Sequence, residues 1–71
     1  GRVFVADYGK GCVSVLQPKT GKLVNTFGQT GMRPLALAAL SDFVFVSDLT
    51  SRQVLVFSSY GEAIGPLRLK L

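Results

Sequence analysis

A short apolar phrase occurs twice in this chain and constrains its fold more than any other feature. Val-Phe-Val-Ala-Asp at residues 3–7 returns 41 positions later as Val-Phe-Val-Ser-Asp at residues 44–48. After a gap of equal length, Val-Ser-Val-Leu at 13–16 returns as Val-Leu-Val-Phe at 54–57. Repeats with a period of about 20 to 50 residues are supersecondary units that bury their apolar faces by stacking on one another. We therefore expect two copies of one unit.

The length and composition of the chain indicate stacked units rather than a domain that is stable alone. The chain has 71 residues, 48% of them apolar, and it begins without an initiator methionine on a segment whose pattern predicts a strand. A chain this short is marginally stable unless disulfides, a metal or partners assist it. We expect an excerpt of a larger protein, whose open strands and apolar faces make it prone to oligomerise.

Runs rich in Val and Phe, separated by glycine and proline turns, predict an all-β chain. The predicted strands cover residues 2–6, 12–17, 22–27, 35–40, 43–47, 53–58 and 62–71. The first is apolar on both alternating faces and is expected to lie buried between two layers. The Ala-rich fourth run also suits a helical turn, but six residues are few for a helix. Pro66 interrupts the last run, so either this is an edge strand or Leu67 begins a third unit.

These strands group into two units. Residues 1–28 hold three strands, residues 29–34 form a link, and residues 35–71 hold four strands. Each unit is predicted to be a four-stranded antiparallel sheet, the first without its innermost strand. Radial stacking of such sheets forms a β-propeller, so the sequence predicts about two blades of an incomplete ring.

The motifs resemble the NHL repeat, the blade unit of NHL β-propellers. The matching segments are residues 3–7, 13–16 and 21–28 in the first unit, and 34–38, 45–48 and 54–57 in the second. The Asn and Arg typical of the family's link are replaced by Lys10 and Cys12 in one unit, and by Ser51 and Gln53 in the other. The resemblance implies a non-enzymatic propeller that binds proteins, often as the substrate-selecting part of a RING-type ubiquitin ligase.

The inventory of catalytic side chains is short. The chain has no histidine, the commonest general base and neutral metal ligand. Its carboxylates are Asp7, Asp42, Asp48 and Glu62. Asp7 and Asp48 occupy equivalent positions, and we expect each to cap the turn after its strand rather than bind a metal. No catalytic residue, metal or cofactor is predicted. The alternative is a scaffold part of a lyase or hydrolase propeller whose site lies elsewhere.

The links between strands offer the best candidates for binding. In an up-and-down sheet, the turn between the second and third strands of a blade and the link to the next blade lie at the same end. That end is predicted to collect Tyr8, Lys10, Met32, Arg33 and Arg52. Cations beside a tyrosine suit an acidic peptide or phosphate groups. The predicted partner is a protein, with RNA as the second choice, and further blades or a second copy are expected to complete the stack.

Two features bear on the compartment. Cys12 is the single cysteine and is expected to be a structural thiol. It forms no internal disulfide, which favours a reducing, cytoplasmic setting. No apolar run approaches the roughly 18 residues of a membrane-spanning helix, so no membrane partner is expected. The net charge of +4 is dispersed along the chain.

Overall fold

The computed structural model describes residues 1–68, and that part of the chain is all-β, without a helix. Seven strands form: β1 Val3–Asp7, β2 Cys12–Leu16, β3 Leu23–Phe27, β4 Pro34–Leu40, β5 Phe43–Asp48, β6 Gln53–Ser58 and β7 Ala63–Pro66. The all-β prediction is confirmed, and the Ala-rich segment that also suited a helical turn is strand β4. Ser41 follows it with a φ of 55°, which reverses the chain into β5.

The strands form two antiparallel sheets, ordered β1-β2-β3 and β4-β5-β6-β7. Within each sheet, each strand pairs with the next along the chain, as expected of strands joined by short turns. Phe4 pairs with Val15 in the first sheet, and their repeat equivalents Phe45 and Val56 pair in the second. The repeat therefore preserves strand register as well as sequence. Two such sheets are consistent with blades, whereas the propeller ring remains a prediction.

The hydrophobic core lies between the two sheets. Its buried members are Val13, Met32, Val44, Val46, Leu55 and Phe57. Phe27 of the first sheet lies between two rings, with its centroid 6.4 Å from that of Phe4 and 5.1 Å from that of Phe57. Aromatic pairs at these distances add to the free energy gained by burying their area. Phe27 thus joins the two sheets through its contacts with Phe4 and Phe57.

The burial of β1 differs from the prediction. It was expected to be covered on both faces, but Val3 and Val5 are each 41% exposed, and only Phe4 and Ala6 between them face the second sheet. Successive side chains of a strand point to opposite sides. Since the described residues supply a second layer on one side only, the strand is covered on that side alone.

The last strand is shorter than predicted. The expected strand over 62–71 forms only over Ala63–Pro66, at the edge of the second sheet. Proline has no N–H to donate, and edge strands tolerate it for that reason. Leu67 still donates its N–H to the carbonyl of Val54 at 2.7 Å, so the chain stays on β6 as far as this residue. Residues 69–71 of the predicted strand lie outside the described residues.

Gly61, in the turn between β6 and β7, allows the two sheets to approach at Phe27. Its φ is 91°, and a Cβ built on it would lie 2.9 Å from the Phe27 Cβ. That separation is too short for two carbon atoms. Gly21, in the turn between β2 and β3, also has a positive φ, of 70°, but nothing lies within 4 Å of its Cβ position.

We predict that Gly61→Ala lowers the free energy of unfolding by about 2–4 kcal/mol, because strain at positive φ adds to overpacking against Phe27. The matched control, Gly21→Ala, carries the backbone strain alone and should lose only about 1–2 kcal/mol. Urea unfolding of the two variants measures the difference. Equal losses would show that Phe27 does not pack on Gly61.

Candidate functional site

Three links meet at one end of the two sheets, and we call this end the loop face. It comprises residues 8–11 between β1 and β2, 28–33 between β3 and β4, and 49–52 between β5 and β6. The links come together because the direction of an antiparallel meander alternates, so that β1, β3 and β5 all end on the same side. The Leu49 N–H donates to the Arg33 carbonyl at 3.0 Å, which bonds two of the links to each other.

Asp48, the last residue of β5, organises the loop face. Its carboxylate is 3% exposed and accepts four hydrogen bonds. One oxygen accepts from the backbone N–H groups of Arg33 at 2.7 Å and Thr50 at 3.2 Å. The other accepts from the N–H of Ser51 at 3.1 Å and from its hydroxyl at 2.7 Å. A single side chain therefore joins the turn after β5 to the link that enters the second sheet.

Opposing effects set the protonation of Asp48. Burial by itself raises the pKa of a carboxyl, but the donors from Arg33, Ser51 and Thr50 stabilise the ionised form and bring the pKa below its usual 3.8. The effect of the hydrogen bonds on the pKa exceeds that of burial, because all of them are donated to the charged form. Asp48 is therefore a carboxylate at neutral pH.

Asp7, at the equivalent position of the first unit, makes a much simpler turn. Its carboxylate accepts from the N–H of Lys10 at 3.0 Å, and its carbonyl accepts from the N–H of Gly11 at 2.9 Å. The side chain is half-buried. Both aspartates thus bond to the N–H groups of the turns that follow them, but only Asp48 reaches a second link.

Tyr8 and Arg33 form a pair on the surface of the loop face. The Arg33 guanidinium carbon lies 5.1 Å from the centroid of the Tyr8 ring, and the guanidinium donates a hydrogen bond to the Tyr8 hydroxyl. A cation over an aromatic face is attracted by the ring quadrupole. The backbone of Arg33 is held at the same time by Asp48. The pair therefore presents a cation whose position is restricted at both ends.

Lys10 and Arg52 are the other cations of the loop face, and both are exposed. Arg52 has a φ of 57°, in the left-handed region that side chains other than glycine seldom adopt. It immediately precedes β6, and the hydrogen bonds of Asp48 to Thr50 and Ser51 hold the turn in this conformation.

Met32 is not a surface residue. It was predicted to contribute to the binding face, but it is 2% exposed and belongs to the core. Its methyl carbon lies 2.8 Å from the Cβ position of Gly28, so the link folds over its own side chain. The sequence contained a signal for this: Met32 is the one long apolar residue in a link of small and polar residues, and such a residue commonly fills a core gap.

Leu49 is a surface residue that sequence reasoning missed. It lies in the turn after β5 and is 41% exposed on the loop face, next to buried Asp48. An apolar side chain at the edge of a group of cations supplies contact area that charges alone lack. The signal was present in the sequence, because Leu49 is the one apolar residue among Thr50, Ser51 and Arg52.

The two ends of the sheets present their carboxylates differently. At the loop face, Asp48 is buried and Asp7 bonds to its own turn. At the opposite end, Asp42 and Glu62 are both exposed. The cations there include Arg2, whose guanidinium carbon lies 4.6 Å from the Tyr60 ring centroid. At the loop face the cations are exposed, while one carboxylate is buried and the other bonds to its own turn.

Residues 1–68 contain no group of three or more His, Cys, Asp or Glu side chains arranged to hold a metal ion. Within the same part of the chain, no helix has the length and apolar character needed to cross a membrane. Cys12 is half-buried and forms no disulfide.

Comparison of the chain with protein families, curated proteins and solved structures found no match. The resemblance to NHL repeats therefore remains a prediction.

We predict that Asp48→Ala destabilises the protein by about 2–4 kcal/mol, because it leaves buried N–H groups without an acceptor. The matched control is Asp7→Ala, which removes one exposed hydrogen bond at the equivalent position and should cost about 0.5–1.5 kcal/mol. Urea unfolding at neutral pH compares the two. A larger loss in Asp7→Ala would contradict the role given to Asp48.

The pKa of Asp48 also predicts a dependence of stability on pH. Because the folded pKa lies below the unfolded value of about 3.9, the ionised carboxylate stabilises the fold above that pH, and this contribution disappears as pH falls through the folded pKa. Unfolding of wild type and Asp48→Asn, which does not titrate, should show a gap that is constant from neutral pH to about pH 5 and narrows below about pH 4. A gap that stays constant in acid would rule out this contribution.

Proposed function

We propose that this chain is a non-enzymatic binding module whose loop face binds an acidic segment of a partner protein. The observation that carries the proposal is the presentation of charge. The cations of the loop face, Lys10, Arg33 and Arg52, are exposed. Of its two carboxylates, Asp48 is buried and Asp7 bonds to its own turn. A carboxylate-bearing partner thus meets cations without competition from the face's own acids.

The surroundings of the Tyr8 ring favour an acidic peptide over RNA as the partner. Single-stranded RNA is bound chiefly by bases that stack on open aromatic rings. One face of the Tyr8 ring is occupied by the Arg33 guanidinium, and the second tyrosine, Tyr60, lies at the opposite end, away from the loop-face cations. Exposed Leu49 adds an apolar contact beside the cations, which suits a peptide that alternates acidic and apolar residues.

The wider setting rests on the sequence. We propose that the two sheets are blades of an NHL-like propeller, in which the loop face would select a binding partner, such as a substrate of an attached ubiquitin ligase. A reducing cytoplasmic compartment is consistent with a single cysteine that forms no disulfide.

We predict that Lys10→Ala combined with Arg52→Ala weakens binding of a synthetic Glu- and Leu-containing peptide about tenfold, roughly 1.4 kcal/mol. Both substitutions remove exposed cations and leave Asp48 and the Tyr8–Arg33 pair in place. Fluorescence anisotropy across a salt series measures the affinity, and the variant should also show a shallower dependence on salt.

The matched control is Lys19→Ala combined with Lys22→Ala, which removes the same charge from the opposite end. Its affinity for the peptide should change little. An equal loss of affinity in the control would show that only net charge matters, and it would overturn the loop-face proposal. Tighter binding of single-stranded RNA than of the peptide, lost in the first variant alone, would replace the protein partner with RNA.

A further inference from the structure

Each sheet has one face that no other described element covers. On the first sheet, the uncovered face presents Val3, Val5, Ser14 and Leu16, and we call it the front free face. On the second sheet, it presents Phe45, Ser47, Val54 and Val56, and we call it the back free face. No charged side chain stands at these positions. Val3, Val5 and Val54 are exposed and the others are half-buried, except Val56, which is 8% exposed. Apolar sheet faces of this kind mark sites of association.

The repeat relates the front free face to a face that is buried in the core. Shifted by one repeat, Val3 and Val5 become Val44 and Val46, which lie on the side of the second sheet that packs against the first. Val44 and Val46 are 0% exposed, whereas Val3 and Val5 are each 41% exposed. The same repeat positions are thus covered in the second sheet and uncovered in the first.

The back free face shows the converse relation. Its Val54 is the repeat equivalent of Val13, which lies on the side of the first sheet that packs against the second. Val13 is 0% exposed, and Val54 is 37% exposed. Phe45 corresponds to Phe4, which packs against the core, and both side chains are half-buried. Val56 and its equivalent Val15 are both buried. The contrast between a covered position in the first sheet and an uncovered one in the second is therefore carried by Val13 and Val54.

The two free faces are therefore copies of the two surfaces that already meet inside the molecule. We propose that a second copy of this chain docks its front free face on the back free face of the first, and so repeats the internal sheet-to-sheet packing between molecules. This contact is heterologous, since the two surfaces that meet are different and each new copy again displays one of each. The proposal is independent of the loop-face function, because neither free face includes the loop-face cations.

The back free face has the shape to receive such a partner. An open groove of about 410 Å³ runs across it, lined mainly by apolar residues that include Phe43, Phe45, Val56 and Ile64, together with the one charged residue Arg68. The Phe43 and Phe45 ring centroids are 6.4 Å apart along one wall. In the internal interface, the equivalent surface around Phe4 receives the side of the second sheet that carries Phe57.

Two sequence differences between the repeats should make the contact between molecules weaker than the internal contact between sheets. Phe57 and Leu55, which are buried in the core, correspond to Leu16 and Ser14 on the front free face. The smaller side chains fill less of the groove, and unfilled volume costs contacts. We therefore expect association that is reversible and increases with concentration.

Sedimentation of the 71-residue chain over a range of concentrations tests the proposal. Wild type should shift from its monomer mass of 7.6 kDa to dimers and larger species as concentration rises. Val5→Glu disables the front free face and Val54→Glu the back free face, each at an exposed position. Each variant alone should remain monomeric at concentrations where wild type associates.

An equimolar mixture of the two variants gives the decisive result. Val5→Glu retains an intact back face and Val54→Glu an intact front face, so the mixture should form a dimer and grow no further. Leu49→Glu is the matched control, since Leu49 is also 41% exposed but lies on neither free face, and it should associate like wild type.

Three results would overturn the proposal. They are a wild-type chain that stays monomeric at all concentrations, a single variant that still dimerises through two identical faces, and a mixture that remains monomeric. Circular dichroism and thermal unfolding establish that both variants are folded. If Val5→Glu is not, Val3→Glu disables the same face at a position of equal exposure and takes its place.

Discussion

The structure depends on the burial of one sheet face against another. Both faces of each sheet carry apolar side chains, but two layers enclose only a single interface, here filled by Val13, Val44, Val46, Leu55 and Phe57. Removing apolar area from water stabilises a fold. One face of each sheet gains that stabilisation, and the other does not. The core and the two free faces therefore have the same origin.

Packing of the sheets also positions the loop face. Once the two layers are stacked, the links at one end approach one another, and the buried carboxylate of Asp48 bonds the link that enters the second sheet to the turn after β5. Its hydrogen bonds hold Arg33, and Arg33 in turn contacts Tyr8 of the first sheet. A chain of contacts thus runs from the buried end of β5 to an exposed cation, and each contact requires the one before it.

The first strands of the two units, residues 3–7 and 44–48, differ at one position, whereas the turns that follow them, residues 8–11 and 49–52, differ at every position. The paired residues keep their register, as Phe4 with Val15 and Phe45 with Val56 show. The aspartates at the strand ends remain too, yet Asp7 makes one side-chain hydrogen bond where Asp48 makes four. Strand positions are constrained by packing on both neighbours, whereas a turn is free to change as long as its N–H groups find acceptors.

The sequence by itself determined the strands, their order and the turns, because period-two apolar runs and glycine or proline breaks are local signals. It also placed Tyr8, Lys10, Arg33 and Arg52 at one end, since the direction of strands in a meander alternates. Tertiary structure decided what depends on contacts between distant residues. It buried Met32, exposed one side of β1, and brought Arg33 onto Tyr8 across 25 positions. No local pattern records such contacts, because they arise only when one sheet has a particular face of the other to pack against.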